Sequence, residues 1–112
     1  MKDDDVFLKH VLDSINQIEE YVDDMGFEDF VSNKLVQDGV VRQLEIIGEA
    51  TKHLSPELRE KYPKTPWEDI AGMRDKLIHH YFGVDLEVVW DTVEKDLPAL
   101  KKHVKKILGE QE

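Results

Sequence analysis

The chain has 112 residues, with 25 Asp and Glu against 15 Lys and Arg, a net charge of -10 and no cysteine. Its length suits one domain over residues 1–112, burying roughly 65% of its unfolded surface. Disulfides and thiolate metal sites are excluded, and the acidity opposes a generally basic nucleic-acid-binding surface, since neutralising phosphates takes cations. No apolar run approaches the roughly 20 residues that span a bilayer. The Met-Lys-Asp-Asp-Asp start is not a signal peptide, so a cytoplasmic protein is expected.

In chain order, the first predicted helix places Leu8, Val11, Leu12, Ile15, Ile18, Val22 and Met25 on one face. Asp3, Asp4 and Asp5 stand at its start, where the helix dipole favours negative charge, and Gly26 is its expected stop. A short helix around Glu28–Val31 follows. The third begins near Ser32 or Asn33, both good N-caps, and its buried series runs Val36, Val40, Leu44, Ile47, Thr51, Leu54. Ser55-Pro56 ends it and starts a further turn through Leu58. The fourth opens with Thr65-Pro66-Trp67-Glu68, the pattern of a capping box with Pro at the first helical position, and is expected to fade near Gly83. The fifth starts at Asp85 and carries Leu86, Trp90, Val93, Leu97, Leu100, Val104 and Ile107. Pro98 lies inside that series and is expected to kink or restart the helix. Strand alternation is absent. The expected fold is all-α: an up-and-down bundle of four main helices plus short ones.

The polar exceptions point to a site. In the fourth helix, Trp67, Ile70, Ala71, Leu77, Ile78 and Tyr81 form a stripe three or four residues apart. Arg74 falls inside it, and a guanidinium there must be paired or sit in a cleft. His79 is suited to proton transfer, since an unperturbed imidazole titrates near 6.5. Asp75, one turn before it, can orient its ring. On an ideal helix Arg74 and His79 are about 140° apart, so one straight helix does not aim both at one point. Either the helix unwinds before His79 or the site is shared across a two-fold axis.

On the third predicted helix Gly48 is unusual, costing about 1 kcal/mol relative to Ala. Glu45 and Glu49 flank it, and one of them could hold the Arg74 fork; a solvated acidic face is the alternative. Glu45, Glu49 and His53 are spaced four apart, but the Glu-x-x-His and His-Glu-x-x-His patterns of metal-binding helices are missing. No metal or other cofactor is expected. The run Lys101-Lys102-His103-x-Lys105-Lys106 could touch RNA phosphates or simply complement a helix end.

Arg-x-x-x-x-His-x-Tyr, here Arg74, His79 and Tyr81, resembles the signature of HEPN-domain proteins, specifically the HepT-like toxins of prokaryotic toxin–antitoxin pairs. Leu44-Glu45-Ile46-Ile47-Gly48-Glu49-Ala50, Tyr62-Pro63-x-x-Pro66-Trp67 and Asp96-Leu97-Pro98 resemble the family too, in its order over nearly the whole chain. The resemblance implies a HEPN-like bundle and a homodimer whose motifs meet at the interface. It implies a metal-independent endoribonuclease acting on RNA, with Arg74 and His79 catalytic, as the toxin of a type VII-like pair. It further implies an MNT-type nucleotidyltransferase antitoxin that adenylylates the motif tyrosine, Tyr81. The alternative is a dimeric, non-catalytic helper or nucleotide-binding module for such a transferase, which the acidity favours.

Overall fold

The computed structural model describes residues 2–73, 75 and 85–111. They are helical throughout apart from short connections, with no strand among them. The elements are α1 (Lys2–Tyr21), α2 (Phe27–Val31), α3 (Lys34–Lys52), α4 (Pro56–Lys61), α5 (Trp67–Ala71), α6 (Leu86–Asp91), a π-helical turn (Thr92–Asp96) and α7 (Leu97–Gln111). The all-α bundle expected from the sequence is what forms. Helix α1 packs against α3 and α7, α3 against α5, and α2 against α3 and α6.

The core follows the helical periodicity. Leu8, Val11, Ile15 and Ile18 of α1 face Val40, Leu44 and Ile47 of α3, and Leu97, Leu100, Val104 and Ile107 of α7 complete the interior. Each such side chain contributes roughly 1.5–3 kcal/mol on full burial. Phe30 of α2 is fully enclosed and stacks at a tilt on Trp90, with ring centroids 5.1 Å apart. Gly39 has a packing reason that the sequence did not show. A Cβ there would lie 3.0 Å from a ring carbon of Tyr21, so the absent side chain lets the ring lie against α3.

Several ends are capped as expected. Asn33 accepts from the Val36 N–H at the start of α3, Ser55 from the Leu58 N–H at the start of α4, and Asp85 from the Glu87 and Val88 N–H groups at the start of α6. The Arg59 guanidinium donates to the Thr51 carbonyl at 2.7 Å, placing a cation at the C-terminal end of α3.

Three local expectations are corrected. Helix α1 stops at Tyr21, before the turn in which Asp24 adopts φ 62°, and Gly26 is instead the N-cap of α2. An Asp tolerates that left-handed conformation better than most residues, so it can end the first helix early. The capping box at Thr65 does not form: Pro66 is the N-cap of α5, with no side-chain cap. The Thr65 hydroxyl is instead 2.7 Å from His103 Nδ1 on α7, a tertiary bond in place of a local one. The fourth helix does not run unbroken through its apolar stripe. Helix α5 ends at Ala71 with Gly72 as its C-cap, and Met73 and Asp75 are helical again beyond it. Its expected fade near Gly83 lies outside the described residues. Pro98 is the second residue of α7, so the α-helix restarts beside it after the π-helical turn, one of the two outcomes expected. The turn before it widens, so that the Leu97 N–H reaches the Thr92 carbonyl five residues back. That π-turn absorbs the missing Pro98 N–H upstream.

The acidic start does more than meet a dipole. Asp4 is 3% exposed. Its carboxylate accepts from the Ser55 N–H at 2.8 Å and from the Ser55 hydroxyl at 2.6 Å, tying the start of α1 to the α3–α4 junction. Hydrogen bonds to a charged group contribute about 1.5–3 kcal/mol. Asp4→Ala is therefore expected to destabilise the fold by about 2–3 kcal/mol, with Asp3→Ala near neutral. Urea unfolding followed by circular dichroism checks this, and equal midpoints for the two variants would refute it.

Candidate functional site

Arg74, His79, His80 and Tyr81 lie outside the described residues. The chain leading to Arg74 is described from residue 2 onward. Trp67 is buried, and its indole N–H donates to the Tyr62 carbonyl at 2.9 Å. This bond pins the Tyr62–Pro66 connection to α5 and gives Trp67 of the Tyr62-Pro63-x-x-Pro66-Trp67 pattern a structural role. Trp67, Ile70 and Met73 bury one stripe three residues apart, which fixes the face from which the chain proceeds into Arg74. Met73 was absent from the stripe read off the sequence. At Gly72 the backbone turns tightly: its N–H donates to the Glu68 carbonyl at 2.9 Å, and a Cβ would stand 3.2 Å from that oxygen. Asp75 is helical and exposed, so its carboxylate faces solvent rather than core.

Helix α3 supplies the other predicted residues. Gly48 is buried, Glu45 half-buried and Glu49 exposed. Both carboxylates line a groove of about 430 Å³ between α1 and α3, together with Phe7, His10, Arg42 and His53. His53 stacks on Phe7, with centroids 4.8 Å apart and planes 14° from parallel, and His10 meets the same ring at its edge. Among the described residues no three His, Cys, Asp or Glu side chains are arranged to hold a metal ion. The sequence reading missed His10 and Arg42. The signal for Arg42 was present in the polar face Arg42, Glu45, Glu49, His53, spaced three and four apart.

A second cavity, of about 570 Å³, lies between α5 and the start of α7. It reaches Gly72 and Met73, the two residues before Arg74, and Thr65 and His103 form part of its wall. The lysine run on α7 is divided by its contacts. Lys101 pairs with Glu19 of α1 at 2.6 Å and His103 bonds Thr65, while Lys102, Lys105 and Lys106 are exposed. No helix among the described residues is long and apolar enough to cross a membrane.

Comparison with known proteins gives a consistent result. A family model described as "Ribonuclease HepT-like" matches residues 11–107. A Caldanaerobacter subterraneus protein named "Putative RNase" is 49% identical over 99% of both chains. One from Thermococcus cleftensis named "Probable ribonuclease HepT" is 46% identical over 90% of this chain and 92% of its own. A Methanocaldococcus jannaschii protein named "Gamma-glutamylcyclotransferase and putative RNase" is 51% identical over 97% of this chain, which spans only 49% of that relative. No solved structure matches.

Proposed function

This chain belongs to the HepT-like ribonuclease family, and we propose that it is the toxin of a two-component system, a metal-independent endoribonuclease held inactive by a nucleotidyltransferase antitoxin. One observation carries the reading: the family match spans residues 11–107 and encloses an intact Arg74-x-x-x-x-His79-x-Tyr81. In this reading residues 1–112 act as one domain in the cytoplasm.

The chemistry needs no metal. A neutral His79 takes the proton of an RNA 2′-hydroxyl, whose oxygen bonds to the adjacent phosphorus, and the bond from phosphorus to the 5′-oxygen breaks. The departing oxygen recovers a proton and a cyclic phosphate remains. Arg74 stabilises the charge that gathers on the phosphoryl oxygens, Asp75 orients the imidazole, and Glu45 or Glu49 holds the guanidinium fork. Because the nucleophile is the 2′-hydroxyl, DNA is not a substrate. The test is incubation of purified protein with RNA and excess chelator. Expected are cyclic-phosphate ends, and no cut at any linkage whose 2′-hydroxyl is replaced by hydrogen. Intact RNA would sink the reading and favour the non-catalytic, nucleotide-binding helper that the -10 charge supports.

The angular separation of Arg74 and His79 further supports a homodimer with its sites built across the two-fold axis. In a mixed dimer of Arg74→Ala and His79→Ala chains, one such site keeps both groups and the other keeps neither. Co-purified mixed dimers are expected to recover about half of the wild-type cleavage rate. A mixed dimer as inactive as either parent would place both groups of a site on one chain.

A further inference from the structure

With 25 acids against 15 cations in the chain, a concavity with lysines and no acid among its described lining residues is unexpected. One lies between the α4–α5 connection and α7. Lys61, Lys64 and Lys106, with His103, Tyr62 and Pro63, line an open cleft of about 360 Å³, and none of its described lining residues is acidic. The three lysines are exposed, and none is ion-paired with another described residue. Lys34, Lys95 and Lys101, in contrast, each hold a carboxylate. Glu110 stands at the rim, where its carboxylate accepts the Tyr62 hydroxyl at 2.6 Å. The Lys61 ammonium lies 5.6 Å from the Tyr62 ring centroid.

The cleft is built, not incidental to long side chains. The Trp67 indole fixes the Tyr62 carbonyl, and the Thr65–His103 bond joins the connection to α7. Lys106, three residues after His103, then faces Lys61 and Lys64 across the opening. Exposed ammonium groups beside ring faces are the elements with which proteins hold a single nucleic-acid strand: cations track phosphates and rings meet bases. Thr65 and His103 also wall the larger cavity reaching Gly72 and Met73, so the cleft adjoins the chain segment that leads into Arg74.

We propose that Lys61, Lys64 and Lys106 anchor the RNA substrate through its phosphates, at a surface separate in sequence from the Arg74–His79 motif. This rests on the ribonuclease reading above. It also resolves the conflict between acidity and substrate, since attraction is confined to one cleft of an otherwise repelling molecule.

The test uses the full chain carrying His79→Ala, so that RNA survives the measurement, and a fluorescent single-stranded RNA oligonucleotide read by anisotropy. Lys61→Gln, Lys64→Gln and Lys106→Gln are combined, with Lys9→Gln, Lys34→Gln and Lys52→Gln as an equal charge change elsewhere. The first triple variant is expected to bind about tenfold or more weakly. Its dependence of log affinity on log salt should be shallower by about 2, since each phosphate contact on a single strand contributes about 0.7. Unchanged affinity and slope, or an equal loss in the second triple variant, overturns the proposal. Displacement of the RNA by polyglutamate at equal charge also overturns it, by showing a dock for acidic polypeptide. Cleavage assays with His79 intact separate the two readings. Lysine-dependent binding without cleavage leaves the cleft standing and removes the nuclease. Cleavage with unchanged KM in the first triple variant removes the cleft and leaves the nuclease.

Discussion

His79→Ala is expected to lower RNA cleavage by about 10²–10⁴-fold, the usual contribution of a positioned general acid or base. Arg74→Ala is expected to lower it by about 10²–10³-fold, as does loss of one donor to a developing oxyanion. Arg74 is a polar intrusion in the predicted apolar stripe and His79 lies off that stripe, and Ala is a good helix former, so neither substitution should cost helical content. Far-UV circular dichroism and urea midpoints should match the parent, which separates loss of chemistry from loss of fold. Arg74→Lys is informative because it keeps the charge and loses the planar fork; most of the activity should still go. Expression without the antitoxin gives the cellular readout, in which the alanine variants grow normally. A variant that cuts RNA at the wild-type rate removes its residue from the proposed mechanism.

How far the sequence revealed this molecule depended on whether a feature was local. Asn33, Ser55 and Asp85 cap the helices that their positions announce, because a short oxygen before an apolar-periodic run bonds the nearest free N–H groups. Thr65 has the same local signature and caps nothing, because His103, 38 residues away, takes its hydroxyl. Asp4 looked like its neighbours Asp3 and Asp5, and only the arrival of Ser55 from 51 residues away makes it a buried tie. The lysine cleft was only half legible for the same reason: the run that holds Lys106 stood out, but Lys61 and Lys64 are unremarkable until α7 lies beside the connection after α4. In the candidate site, periodicity marked Arg74 as out of place, and Glu45 and Glu49 stand together on the α3 groove as their spacing implied. Roles for His79 and Tyr81 came from resemblance, because a His or Tyr near a helix end has several ordinary uses.

Tyr81 is where the proposed regulation meets the proposed chemistry. The antitoxin is expected to transfer AMP to it. The phenolic oxygen bonds to the α-phosphorus of ATP, pyrophosphate leaves, and the phenolic proton is lost. On an ideal helix Tyr81 and Arg74, seven residues apart, return to nearly the same face about two turns from one another. The added phosphodiester then offers the Arg74 guanidinium a charged partner, while the adenosine occupies the space an RNA phosphate would need. One modification thereby removes the anion-stabilising group and blocks access without unfolding the helix. Co-expression with the nucleotidyltransferase should add the mass of one or more AMP units to the tryptic peptide holding Tyr81, and cleavage should fall to the level of Arg74→Ala. Tyr81→Phe keeps the ring and removes the acceptor oxygen, so it should remain unmodified and toxic in the presence of the transferase. A Tyr81→Phe chain that is silenced as fully as the parent would show that the antitoxin inhibits by binding alone.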